Sequence, residues 1–151
     1  GRHRRWFWER TFSMDFPLPD VDYAPLRVFW EHVAAGKLVL PRCESCGAFV
    51  WYPREKCPHC HAVDLAWTEV AGPARIFAFA QVRRALHAPL KAIAPYVPVI
   101  ITFDDAPGVR LVSRWVNQEQ AVPVIGEIAT VVFEDFGYPK FETGRIGPLV
   151  R

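Results

Sequence analysis

The chain has no run of apolar residues approaching the ~18–20 needed to cross a bilayer, and no charged-then-apolar secretory leader. It therefore reads as a soluble, cytoplasmic protein of a reducing compartment. Its nine glycines are scattered, so no Gly-rich loop is present to cradle a phosphate. Ser45 and Ser113 lie outside any G-x-S-x-G setting, and the five histidines have no metalloprotease spacing. Asp104 and Asp105 make a poor acid–base pair, because neighbours on a strand point to opposite faces and Ala106-Pro107-Gly108 marks a turn. Surplus charge is also lacking. Arg2, Arg4, Arg5 and Arg10 against Glu9 give the first 13 residues a net +3, more than the +2 of the whole chain, so the remainder stands at −1. The body of the protein has no general affinity for polyanions. These absences argue against a self-sufficient enzyme and for a binding or scaffolding role.

Cysteine is confined to four residues in two pairs, Cys43-Glu-Ser-Cys46 and Cys57-Pro-His-Cys60. Two such turns, each presenting two thiolates to one point, make the closed tetrahedral sulfur cage that zinc prefers. The spacing favours a metal over two disulfides or four unrelated thiols. A redox dithiol would need one motif at a helix start, where this chain has two facing pairs. Gly47 follows the first turn and Pro58 stiffens the second. A cage with four protein ligands leaves no position for water or substrate, so Cys43, Cys46, Cys57 and Cys60 are expected to hold a structural zinc. His59 and His61 flank Cys60 as exposed residues that such a site does not need.

At 151 residues and 51% hydrophobic, the chain can bury one full core and a small satellite module. The segment before Met14, the only methionine, carries Trp6, Phe7, Trp8 and Phe12 and reads as a disordered or non-native tail rather than a docking arm. The prolines and aspartates of Asp15 to Asp22 predict irregular chain. Leu26, Phe29, Trp30 and Val33 then recur at helical spacing, with Pro25 in the first turn, Asp22 placed to cap it and Gly36 to stop it. Lys37 to Leu40 and Ala48 to Tyr52 predict strands around the first knuckle. Leu65 to Val70, Arg75 to Arg83, Val97 to Phe103, Val109 to Val116 and Gly126 to Asp135 predict five more, with a turn at Ala71-Gly72-Pro73. Five antiparallel strands of this size fit an OB-fold barrel, with an SH3-like barrel as the nearest competitor. The expected organisation is an N-terminal extension over 1–23, a helix plus zinc ribbon over 24–70, and an OB-fold over 71–151. The connection from Arg84 to Pro95 is unusually apolar, holding Leu86, Pro89, Leu90 and Ile93, and is the leading contact surface.

This order of parts resembles the acyl-CoA-associated zinc-ribbon and OB-fold family. The likeness rests on Phe29-Trp30, Gly36-Lys37-Leu38, Pro41-Arg42-Cys43-x-x-Cys46-Gly47, Tyr52-Pro53-Arg54 and Cys57-Pro58-x-Cys60. It continues through Trp67, Val70 and Gly72, Pro95-Tyr96-Val97, Gly108-Val109-Arg110-Leu111 and Ile125-Gly126-Glu127. The resemblance implies a mainly β fold, with a rubredoxin-like zinc ribbon ahead of a five-stranded barrel. It also implies a non-catalytic partner of a thiolase-like acyl-CoA enzyme, of thiolase, acyltransferase or steroid side-chain aldolase type. In such a hetero-oligomer the partner supplies the nucleophile or base, and the ribbon protein stabilises the assembly and helps to form the acyl-CoA channel. A CoA thioester is then a ligand of the complex. Its anionic nucleotide wants cations beside an apolar groove, which places Arg83, Arg84, His87, Leu90, Lys91 and Ile93 as candidate CoA or partner contacts, with Arg75, Arg110 and Arg114 as alternatives on strands. The rival class is a single-stranded nucleic-acid-binding protein stacking bases on Phe77, Phe79 and Trp115; the charge of the body opposes it.

Overall fold

The structure is a computed structural model and describes residues 19–92, 94–117, 119–135 and 145–151. A 3-10 turn at Ala24–Leu26, with proline in its first positions, leads into helix α1, Arg27–Ala34. Tyr23 and Leu26, rather than the expected Asp22, stand at the cap positions, neither with a side-chain cap bond. Gly36 does end the helix. At φ 76° it takes the left-handed conformation that side chains resist, and the N–H groups of Gly36 and Lys37 bond back to the carbonyls of Val33 and His32 at 2.9 and 2.8 Å. The apolar stripe of α1 buries Phe29 and Val33.

Strand β1 (Val39–Cys43) pairs antiparallel with β2 (Leu65–Glu69), Val39 opposite Glu69 and Cys43 opposite Leu65, and together they form the base of the ribbon. The second sheet contains β3 (Ala74–Phe79), β4 (Val97–Phe103), β5 (Ala106–Trp115), β6 (Ile128–Ala129), β7 (Val131–Asp135) and β8 (Arg145–Val150). Its order is β6-β3-β4-β5-β8-β7. Only Thr130 separates β6 from β7, so the two ends of this order are one broken strand. Its first half pairs with β3 and its second with β8, which closes the sheet into a barrel of five strands. The β5–β8 pairing is parallel, which needs a crossover rather than a simple run of hairpins and favours the OB arrangement over a meander.

Two expectations are corrected. Leu65 to Val70 is not a barrel strand, because its ladder runs to β1. The fifth barrel strand is β8, whose Gly147 and Pro148 read as turn rather than strand signals. The predicted return strand from Ala48 to Tyr52 shrinks to one bridge, Phe49 opposite Arg42.

Along β4 every second residue is buried, Val97, Val99, Ile101 and Phe103, and β5 answers with Val109, Leu111, Ser113 and Trp115. This alternation places one face of each strand in the barrel and the other in solvent. The same core takes in Phe29 and Val33 of α1 and Leu38 and Leu40 of the ribbon base. Phe29 also touches the rings of Trp30 and Trp51, with centroids at 5.0 and 5.1 Å. The indole N–H groups of both tryptophans are buried and meet no acceptor among the described residues. A second, smaller cluster surrounds the cysteines and contains Cys43, Val50 and Cys57, with Ala62 and Leu65 beside them.

Candidate metal centre

The two knuckles are built alike. The N–H of Cys43 bonds to the carbonyl of Ala48 and the N–H of Gly47 to that of Cys43, each at 2.8 Å. In the second knuckle the N–H of Cys57 bonds to the carbonyl of Ala62 at 2.8 Å, and that of His61 to Cys57 at 2.9 Å. Gly47 and His61 therefore hold equivalent places, and both are left-handed, at φ 78° and 63°. His61 is exposed and acts here through its backbone; histidine is among the side chains that tolerate this region best. The order Cys-x-x-Cys followed by one residue carries this signal in the sequence, but the glycine shows it only in the first knuckle.

All four Sγ atoms lie within 4.8 Å of one another. The shortest separations run between knuckles, 3.6 Å for Cys43 to Cys60 and 3.7 Å for Cys46 to Cys57, and the thiols are free. A disulfide needs about 2.05 Å. A tetrahedron with zinc–sulfur bonds of ~2.3 Å has edges of about 3.8 Å, so the spacing is that of ligands around one ion. Backbone N–H groups also point at sulfur, as from His59 to Cys57 at 3.4 Å. Cys43 and Cys60 are pushed in opposite directions. The N–H of Cys46, assisted by that of Ser45, outweighs burial and brings Cys43 down to about 7. The N–H of Ala62 favours the Cys60 thiolate, yet the sulfur of Cys43, burial, and the sulfurs of Cys46 and Cys57 together push it up to about 12. Four adjacent sulfurs cannot all ionise without a cation between them, and a divalent ion would take the place of the remaining protons. Cys43 and Cys57 are buried, Cys46 and Cys60 exposed. The donor set fits zinc, and its four ligands leave no open position for chemistry.

The six residues expected to contact CoA or a partner lie in the β3–β4 connection, closed at its base by the Val82–Tyr96 bridge and holding a 3-10 turn at Ala88–Ala92. Arg83, Arg84, His87 and Lys91 are exposed, Leu90 is half-buried, and Ile93 lies outside the described residues. Arg83 bonds to Gln81 at 3.3 Å. Of the strand alternatives, Arg75 is paired with Asp104 at 3.1 Å and Arg114 with Glu134 at 3.8 Å, while Arg110 stacks on Phe77. Trp115 is corrected as a base-stacking candidate. It is 7% exposed, and its N–H donates to the carbonyl of Gln120 at 2.7 Å.

Comparison with known proteins supports this geometry. Residues 30–65 match the family model of the ChsH2 rubredoxin-like zinc ribbon domain. No curated protein sequence matches the chain. Among solved structures, a chain of the Ltp2–ChsH2(DUF35) aldolase is similar at 22% identity and a TM-score of 0.72, over 89% of this chain and 98% of that one. A DUF35-family protein of unknown function from Sulfolobus solfataricus is similar at 16% identity and a TM-score of 0.56, over 91% and 92%. The protein thus joins a ChsH2-type zinc ribbon to an OB-like barrel in the fold of the DUF35 proteins.

Proposed function

We propose that the chain is a non-catalytic accessory subunit of a thiolase-like acyl-CoA enzyme, which stabilises the assembly and helps to form the acyl-CoA channel. The observation that carries this reading is the likeness to the Ltp2–ChsH2(DUF35) aldolase along nearly the whole of both chains. The closed sulfur cage supports it, because a four-ligand site offers no Lewis acid and uses up all four thiols. The exposed cations Arg83, Arg84 and Lys91, beside the apolar β3–β4 connection, suit either the nucleotide end of CoA or the rim of an interface.

Co-expression with the thiolase-fold enzymes encoded in the same genome provides the test. One of them should co-purify at fixed stoichiometry and turn over an acyl-CoA thioester faster with the chain than without it. The purified chain alone should give no turnover. Sustained turnover by the chain alone, or no complex with any of those enzymes, would overturn the proposal.

A further inference from the structure

The outer face of the barrel carries a cation set in apolar surface. Because alternate residues of β4 and β5 are buried, Ala78, Ile100 and Val112 make one outward row, Ala78 opposite Ile100 and Ile100 opposite Val112. Val112 is 64% exposed, and Phe77, at an irregularity in the β3–β4 register, is 44% exposed. Two residues along β5 from Val112, Arg110 lays its guanidinium over the Phe77 ring, 4.3 Å from the centroid. This cation–π contact favours one placement of the side chain, so less rotamer freedom remains to be lost on binding. Arg110 has no carboxylate partner among the described residues. The other outward arginines on these strands, Arg75 and Arg114, already hold Asp104 and Glu134.

Charge complementarity points to the occupant. A chain whose body sums to −1 keeps on this face a guanidinium that rests on an aromatic ring and has no carboxylate partner among the described residues, within exposed aromatic and aliphatic surface. The β3–β4 ladder extends to the Val82–Tyr96 bridge, and the connection beyond it holds Leu86, 96% exposed, with Arg84 and Lys91 also exposed. Aliphatic side chains of this size in a row fit another protein's apolar ridge better than they fit a string of bases, which want stacking rings.

We propose that the outer β3–β4–β5 face, centred on Phe77, Arg110 and Val112, is where the enzyme partner docks, and that the partner meets it with an apolar ridge bearing a carboxylate for Arg110. The inference rests on the accessory-subunit reading and adds the surface and the partner's chemistry. The test uses the full chain and the co-purifying thiolase-fold enzyme, with affinity measured by titration calorimetry. Arg110→Glu and Val112→Asp should each weaken the complex by roughly a hundredfold or more, while circular dichroism and zinc content stay unchanged. Arg110→Lys should weaken it by about tenfold, since an ammonium keeps the charge and loses the stacked fork. Arg54→Glu, at an exposed position on the ribbon, should change nothing. Because Val112→Asp stands within a sheet, Arg110→Gln serves as the milder variant and should still lose at least tenfold. A complex that holds within about twofold across the Arg110 variants overturns this inference and leaves the accessory reading standing. No complex with any of the enzymes overturns both. A fluorescent dT oligonucleotide that binds the wild-type chain and is released by Arg110→Glu would assign the face to nucleic acid and overturn the inference as well.

Discussion

Replacing Cys57 with serine should release the metal and melt the ribbon tip while the barrel survives. Cys57 is fully buried, its sulfur lies 3.7 Å from that of Cys46, and it belongs to a cluster whose other buried members among the described residues are Cys43 and Val50. Fully burying a valine contributes about 1.5–3 kcal/mol. A structural zinc contributes about 10–16 kcal/mol of coupled binding and folding. The ion therefore outweighs the apolar cluster several-fold, and the regular pairing of residues 44–64 amounts to the single Phe49–Arg42 bridge. The barrel has separate support in Ile76, Val99, Ile101, Phe103 and Leu111, all of them buried. Elemental analysis of the variant should fall from one zinc per chain to near none. Hydrogen exchange should lose protection over 44–64 and keep it over β3, β4 and β5. Two results would refute the reasoning: retained protection at the tip without metal, which would mean the knuckles fold on their own, or loss of protection throughout, which would make the ribbon and barrel one cooperative unit.

The equivalent left-handed residues of the knuckles should respond oppositely to substitution. Gly47→Ala has room for its methyl, 3.6 Å from the Arg42 guanidinium, yet should cost about 1–2 kcal/mol through its conformation, whereas His61→Gly should be neutral or slightly stabilising in urea unfolding. Phe29→Ala should cost about 3–5 kcal/mol in the same assay, because it empties a site shared by α1, Trp51 and the main core. Leu86→Asp, at a side chain almost wholly in water, should change stability by less than about 0.5 kcal/mol, while Leu90→Asp, half-buried, should cost more than 1 kcal/mol. If both loop variants are silent in unfolding, the loop does not pack as it stands.

The metal centre was legible because its signal is local. Four cysteines at fixed spacing determine a cage almost irrespective of what surrounds it, and the structure brings those four sulfurs together. The helix was legible for the same reason, from Phe29 and Val33 at helical spacing and a glycine that must leave the right-handed region. The barrel's membership was not. Leu65 to Glu69 alternates no worse than a barrel strand, so it was counted among the five although it falls within the ribbon's expected bounds of 24–70, and the ladder to Val39–Cys43 decides between the two. Strand β8 carries Gly147 and Pro148, whose local preference is for turns, and its place is set by non-local pairing with β5 and β7. Trp115 was misread for a related reason. Its position in an alternating strand gives two possible faces, and the register that puts Arg114 outside buries the indole.

The division into two apolar clusters explains what the sulfur cage contributes to the fold. Strand β1 belongs to both: Leu40 lies in the main core with Phe29 and the barrel, and Cys43, three residues on, lies at the sulfurs. At about 3.3 Å per residue, this single strand carries the chain roughly 10 Å from one cluster to the other. Beyond Cys43 the chain returns to β2 through the two knuckles, and their own apolar content is too small to fix that path. Four sulfurs on one ion fix it at four points, which holds the ribbon tip at a set distance and orientation from the barrel. Rigidity of this kind does nothing for a reaction at the cage itself. It suits a molecule whose role is to present surface, because side chains already held in place lose less freedom when a partner arrives. The same holds on the barrel, where Arg110 is fixed against Phe77 before anything binds. In the ribbon a metal supplies the order that a small core cannot, and on the barrel the closed sheet supplies it.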